Sequence, residues 1–331
     1  MATIGSSYLT LADLRRQTNR NDEVADIIEI MAQRNDFMAD APAMECNQGH
    51  EHLTTIRAGL PTPTWRRLYE GVQPTKGTTT QVTDATGYME DWSEVDAKLV
   101  ERAKDPQKFR MNEAKAHLMG IAHEAAYNVF YGNTATEPEK FDGLSVRYSD
   151  LGAPNGNQIV DAGGVGSDNT SIWFITWGEN AAHLLYPEGS PLGIQREDIG
   201  KETKEKSDGS LYQVYREKFS QDLGMSVRDW RQIARVANID VSALTADASA
   251  GADLIDYMID AYYQLDNPGA ADGNVVIYCS RTIAKFLHKQ AMNVNNVRLS
   301  IEDYGGRPTT MFLGHPIRRA DALLETEARV V

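Results

Sequence analysis

The chain has 331 residues, of which 41% are hydrophobic and 24% charged, the balance of a folded globular protein and not of a disordered or fibrous one. That length accommodates two or three packed regions. A formal net charge of -14 excludes strong non-specific DNA binding by the chain as a whole, because such binding is driven by cations that displace counterions from phosphate.

Cys46 and Cys279 are the only cysteines and lie far apart, which gives no disulfide framework and fits synthesis in a reducing cytoplasm. Met1 to Thr10 lack the order of a secretory signal, and no apolar run approaches membrane-spanning length. The acidic balance also favours solubility at high concentration.

In chain order, Thr10 to Phe37 opens with a Thr10–Asp13 capping pattern. It places Leu11, Leu14, Val24, Ile27, Ile28 and Met31 at mostly helical spacing, which predicts short helices on an extended arm. From Asp40 to Arg57 the periodicity disappears, and Pro42 and Gly49 predict an irregular segment with little core. Arg57 to Asp91 is Thr-rich. It predicts a strand at Trp65–Tyr69, a turn at Gly71–Gly77 and a return strand from Thr78. Such a hairpin has few large apolar residues and must be ordered against another surface.

Val95 to Leu99 and Pro106 to Tyr131 are predicted helices. Asp105 before Pro106 is the N-terminal signal, Ala114, Leu118, Ile121, Ala125 and Val129 form an apolar stripe, and Tyr131-Gly132-Asn133 is a glycine stop. Further on, Ser171 to Asp240 is rich in strand-forming residues with a hairpin turn at Ser207-Asp208-Gly209, and Asp253 to Leu265 is a predicted helix.

A hairpin, the short Met89–Leu99 segment, a long helix ending in Tyr131-Gly132-Asn133 and then Phe141-Asp142-Gly143-Leu144 resemble the extended loop, spine helix and glycine turn of tailed-bacteriophage capsid proteins with the Hong Kong 97-like fold. Three later stretches resemble the podovirus-type branch: Ser171-Ile172-Trp173-Phe174-Ile175-Thr176-Trp177-Gly178, Tyr186-Pro187-Glu188-Gly189-Ser190 and Arg235-Val236-Ala237-Asn238-Ile239-Asp240. Phe312 to Arg319 with Asp321 to Glu327 resembles that branch's closing segment. The specificity lies in the order of these motifs, which cover most of the chain.

The resemblance implies an α+β fold in four parts: an N-terminal arm over residues 1–56, an extended loop hairpin over 57–91, a peripheral domain with its spine helix over 92–249, and an axial domain with the C-terminal strands over 250–331. Ser171 to Asp240 precedes the expected axial helix Asp253–Leu265, so a permuted strand order is expected, with that block supplying peripheral strands. Gly200 to Ser220 is a second, lower-ranked candidate for the extended loop.

The implied function is that of a major capsid protein, made in the host bacterial cytoplasm, which self-assembles as pentamers and hexamers into an icosahedral shell around double-stranded DNA. Scaffold, portal and a cement or decoration protein are implied partners, DNA contacts are weak and local, and no membrane is involved. Trp65, Arg66, Arg67, Lys76, Trp92 and Tyr304 are the candidate inter-subunit contacts. Trp65, Trp92 and Tyr304 read equally well as local core residues. Some relatives cross-link through a lysine on the extended loop; Lys76 lies near the predicted tip, but no asparagine and buried glutamate can be paired with it, so an uncross-linked exposed lysine is the expectation.

No catalytic, cofactor or metal site is expected. Cys46, His50 and His52 lack the second ligand pair of a closed zinc site. His123-Glu124 has Tyr127 where a zinc-protease helix needs histidine. Gly163-Gly164-Val165-Gly166 lacks a phosphate-loop Lys-Ser/Thr, and no Gly-x-Ser-x-Gly elbow occurs. Glu90 and Glu94 could form a carboxylate pair but read more simply as a solvated helix start. An encapsulin-like compartment shell and a carboxylate-dependent hydrolase stand as the alternatives.

Overall fold

Asp105 and Pro106 start the longest helix as the sequence predicts. The computed structural model describes residues 35–244, 254–266, 273–291, 299–304 and 307–331. The predicted helices between Thr10 and Asn35 fall outside this set. The elements in order are α1 (Phe37–Asp40), β1 (Ala43–Glu45), β2 (Glu51–Gly59), β3 (Thr78–Asp96), α2 (Ala97–Arg102), α3 (Pro106–Tyr131) and α4 (Leu144–Arg147). There follow β4 (Ile159–Asp161), β5 (Asn169–Trp177), β6 (Ala182–Tyr186), β7 (Gln195–Glu205), β8 (Leu211–Val227), β9 (Ile233–Asp240), α5 (Leu254–Gln264), β10 (Asn274–Cys279), α6 (Arg281–Ala291), β11 (Leu299–Tyr304), β12 (Arg307–Phe312) and β13 (His315–Arg319).

The side chain of Asp105 accepts from the Lys108 amide at 3.0 Å, filling one of the helix's orphan donors. Ala114, Ile121, Ala125 and Val129 of the predicted stripe are buried. At the far end the Gly132 amide donates to Asn128 O at 2.9 Å, and the Gly143 amide donates to Gly132 O at 2.9 Å. The two glycines act through close approach and not through a left-handed backbone. A Cβ on Gly132 would sit 2.3 Å from Phe141 O and 2.7 Å from Asn128 O, and one on Gly143 would sit 2.6 Å from Asn128 O.

The chain divides into two units, one built from residues 87–126 with 191–223, the other from 34–86, 127–190 and 224–331. In the first, β7 and β8 form an antiparallel hairpin running from Gln195↔Ser220 to Glu205↔Leu211. It turns where the sequence predicts. Gly209 has φ 80°, and Asp208 Oδ1 accepts from the Ser210 amide at 2.9 Å and hydroxyl at 2.6 Å. The apolar content is small: Val95, Leu99, Val100, Ala103 and Phe109 make one cluster, and Ala114, Ile121 and Phe219 another. Ion pairs supplement it. Glu217 is held between Arg110 at 2.6 Å and Arg196 at 2.7 Å, Arg216 bridges Glu94 at 3.0 Å and Glu202 at 2.9 Å, and Lys218 meets Glu90 at 2.9 Å.

In the second unit β5 is central, with all nine residues buried. It pairs antiparallel with β10 on one side and β9 on the other. The order β11-β12-β13-β10-β5 continues the sheet, and β4 runs parallel to β9. Helix α5 lies on β9 and β4. Its Leu254, Met258 and Ala261 join Phe174, Val236, Ile277, Leu287 and Phe312 in one core, where each fully buried large aliphatic contributes about 1.5–3 kcal/mol. The C-terminal segment closes over the same sheet. Arg235 pairs with Glu327 at 2.8 Å, donates to Tyr148 O at 2.7 Å and stacks over Trp173, while the Tyr131 hydroxyl also donates to Glu327.

Three local expectations are corrected. Asp40–Arg57 is not irregular throughout: β1 pairs parallel with β6, and β2 begins at Glu51. Val95 belongs to β3, and α2 starts after Asp96, whose carboxylate caps it through the Lys98 amide. Trp65–Tyr69 forms no strand, because it faces no partner strand. Of the block expected as peripheral strands, β5 and β9 share a sheet with β10 and a core with α5. Within the block Ser171–Asp240, only β7 and most of β8 fall in the other unit.

Gly132→Ala and Gly143→Ala each force a methyl into backbone oxygen. Each is expected to lower the unfolding free energy by about 2–4 kcal/mol, measured by urea denaturation against Gly120→Ala, where a Cβ meets nothing within 4 Å.

Candidate functional site

The Thr-rich texture of residues 78–83 produces a two-stranded ribbon. β2 and β3 pair antiparallel from Glu51↔Ala85 to Gly59↔Thr78, with an irregularity between Arg57 and Gly59. Threonine suits an exposed strand, where its branched side chain is already restricted. Beyond Gly59 the pairing stops and residues 60–77 run as an irregular loop. Every residue from Leu60 to Gln81 is exposed. Trp65 is 98% exposed, Leu68 85% and Tyr69 101%. Tyr69 also has φ 66°, next to a bond from the Glu70 amide to Arg67 O. A bulky residue in that region costs roughly 1–2 kcal/mol, so the turn is held in a strained form with its ring directed at solvent.

The root of the ribbon is fixed by a buried carboxylate. Asp84, on β3, accepts from Arg147 at 2.7 Å through Oδ1 and from the Ser226 hydroxyl at 2.8 Å through Oδ2. Asn47 extends the ladder from the other side, its amide exchanging two 2.8 Å bonds with the backbone of Leu53. The ribbon is thus held at its base and bare at its tip.

Of the sequence-predicted contacts, Trp65, Arg66, Arg67 and Lys76 fall together on the exposed loop. Trp92 does not. It is half-buried on β3, its indole N–H donating to Glu90 and its ring lying under Arg216 at 4.6 Å and Lys218 at 5.7 Å. Tyr304 is placed as a backbone position opposite Arg307; its side chain lies outside the described residues. The other loop candidate, Gly200–Ser220, is the β7–β8 ladder already described.

The chemical alternatives can be placed as well. Glu90 and Glu94 lie on β3 and not at a helix start, each paired with cations of β7 or β8. Glu90 is pulled down to about 2 by hydrogen bonds from Tyr88, Lys218 and Trp92, the opposite of what a general acid needs. The Cys46 thiol is pushed up to about 11 by burial and by Asp84, and Cys279 to about 12 by burial, so both stay protonated. His50 is exposed, whereas His52 is buried against Arg228. Among the described residues no three metal-ligating side chains gather.

Comparison with known proteins gives a consistent picture. The family model described as major capsid protein GP7 matches residues 19–331. A chain in the structure of bacteriophage Epsilon15 is 44% identical, with a TM-score of 0.80 over 100% of this chain and 99% of that one. More distant likenesses include the bacteriophage JBD30 capsid, 9% identical with a TM-score of 0.43 over 89% of this chain and 93% of that one. Another is the SrpI encapsulin complex of Synechococcus elongatus PCC 7942, 8% identical with a TM-score of 0.47 over 70% of this chain and 96% of that one. No curated protein matches.

The fold and the family match define a phage head-shell subunit of the Hong Kong 97-like α+β class, structural and not enzymatic, residing in the virion capsid. The chain belongs to the major capsid protein GP7 family.

The two tryptophans behave differently in the isolated subunit. Trp92→Ala is expected to cost about 1–3 kcal/mol, through lost cation–π contacts and packing, and Trp65→Ala less than about 0.5 kcal/mol, both by chemical denaturation of unassembled protein.

Proposed function

We propose that the loop of residues 60–77 is the clasp by which each subunit holds a neighbour as pentamers and hexamers close into an icosahedral shell. The supporting observation is the full exposure of Trp65, Leu68 and Tyr69 on a loop in which every residue is exposed. Aromatic side chains of this kind are what interfaces use as buried anchors, and exposed apolar clusters on an otherwise polar chain mark association sites. The same loop carries Arg66, Arg67 and Lys76 against Glu70, a local positive balance on a chain of net charge -14. It is therefore complementary to the acidic surface of another copy, and the contact should weaken with salt.

In this reading the unit of residues 87–126 and 191–223 serves as the peripheral domain, and the sheet of β5, β9, β10 and β11 to β13 with α5 and α6 serves as the axial domain. Residues 1–56 form the arm, and Tyr304, at the end of β11, is a second contact candidate. Different surfaces of one chain must be complementary for rings to close. Scaffold, portal and a cement protein complete the assembly in the host cytoplasm. The packaged double-stranded DNA meets the shell through weak local contacts, as the net charge requires.

Replacing Trp65, Leu68 and Tyr69 together by serine tests the clasp. The expected product has the far-ultraviolet spectrum and unfolding midpoint of the parent but sediments as small species, with no shells by negative-stain microscopy. Shells at the parent's yield would contradict the assignment.

A further inference from the structure

Two histidines and an arginine meet where β2, β6 and the end of β8 come together. His52 on β2 is 3% exposed and His183 on β6 is 0% exposed, with ring centroids 5.8 Å apart, edge to face. Arg228, just beyond β8, places Nη2 3.1 Å from His52 Nε2. A guanidinium has only donors, so that contact requires an unprotonated Nε2 on His52 to accept. Adding a proton there turns an attraction into two N–H groups facing each other.

Asp84 favours the protonated rings, but burial and Arg228 outweigh it at both histidines. Asp84, opposite His52 in the β2–β3 register, is the nearby carboxylate, and both its oxygens are engaged by Arg147 and Ser226. Arg147, from α4, adds another cation to the neighbourhood of Asp84. Cys46, following β1, is a thiol whose ionisation Asp84 opposes. His183 faces Arg228 and His52, which oppose its protonation, while the Gly178 backbone and then Asp84 favour it. His52 Nδ1 and Arg228 Nε have no hydrogen-bond partner among the described residues.

We propose that the His52–His183–Arg228 cluster is an acid-operated latch at the root of the β2–β3 ribbon, closed when both imidazoles are neutral and opened when protons place like charges in contact between β2, β6 and β8. The latch concerns the subunit itself and stands whether or not the ribbon's tip clasps a neighbour.

The direction of the effect follows from linkage. Burial first, then Arg228, lowers the His52 pKa below that of a free imidazole. His183 is driven to about 4 by burial, then by Arg228 and His52. The unfolded chain takes up protons near pH 6.5 while the closed latch refuses them, so the latch's full contribution is present above that pH. It is lost progressively as pH falls from about 6.5 towards 4.

Hydrogen–deuterium exchange of the full chain at pH 7.5 and pH 4.5, corrected for intrinsic rates, reads this directly. Acid is expected to reduce protection of residues 51–59 and 182–186 by at least about tenfold more than that of residues 274–279 in the central strand β10, a factor corresponding to one pKa unit. In the variant His52→Gln, His183→Gln the excess loss is expected to vanish. Equal loss in the two regions of the parent, or an unchanged excess in the variant, would overturn the latch. If the variant does not fold at pH 7.5, imidazole titration of the parent by NMR decides instead. Both rings are expected to titrate below the ordinary histidine range, and titration of both near pH 6.5 would overturn it.

Discussion

A two-stranded ribbon has no second layer on which to bury a side chain, so one that reaches away from its domain must be held at its root and covered at its tip by something else. Much of this subunit's architecture answers that constraint. Asp84 binds the root through Arg147 and Ser226, and β2, β6 and β8 close around His52 and His183. The tip keeps three large apolar side chains in water. In an isolated chain that exposure stabilises nothing; the proposed clasp would turn it into the surface on which a neighbour is gained.

The two units of the chain reach stability by different means. Around β5 the solution is apolar: a fully buried strand, helices laid on its sheet and one continuous core, sealed by the C-terminal Glu327 on Arg235. Around β7 and β8 the cores are small, and Glu217, Glu94 and Glu90 are each matched to cations on neighbouring strands. A partly exposed pair such as Lys218–Glu90 contributes little singly, about 0–1 kcal/mol, but the geometry of these pairs favours one strand pairing over others. The nearly buried Glu217, held between two arginines, would leave uncompensated charge if either strand slipped.

Much of this was legible in the amino-acid sequence, and the reasons for the rest are physical. Helix α3 was readable because its signals are local: Asp105 and Pro106 start it, a stripe runs along it and glycines stop it. The β7–β8 turn was readable because Asp208-Gly209 is turn chemistry. β1 was not, since three residues pairing parallel with a distant strand leave no periodicity. Glu90 and Glu94 misled because residues four apart share a face in a strand as well as in a helix; their partners on β7 and β8 lie far along the chain. Trp65 and Trp92 were equivalent as letters, and only the fold shows one bare and the other clasped by Arg216. The core joining β5, β9 and α5 was not legible, because it is assembled from segments far apart in sequence. The family resemblance identified the class of fold, but the buried His52 and His183 carried no motif.

The central claim is that residues 60–77 are open in the subunit and covered only in the shell. Hydroxyl-radical footprinting of the parent protein, unassembled and assembled, measures it most directly through oxidation of Trp65 and Tyr69. The account predicts rapid oxidation of both in the free subunit and strong protection in the shell, with Trp92 changing little. Equal oxidation of Trp65 and Tyr69 in the two states would contradict it.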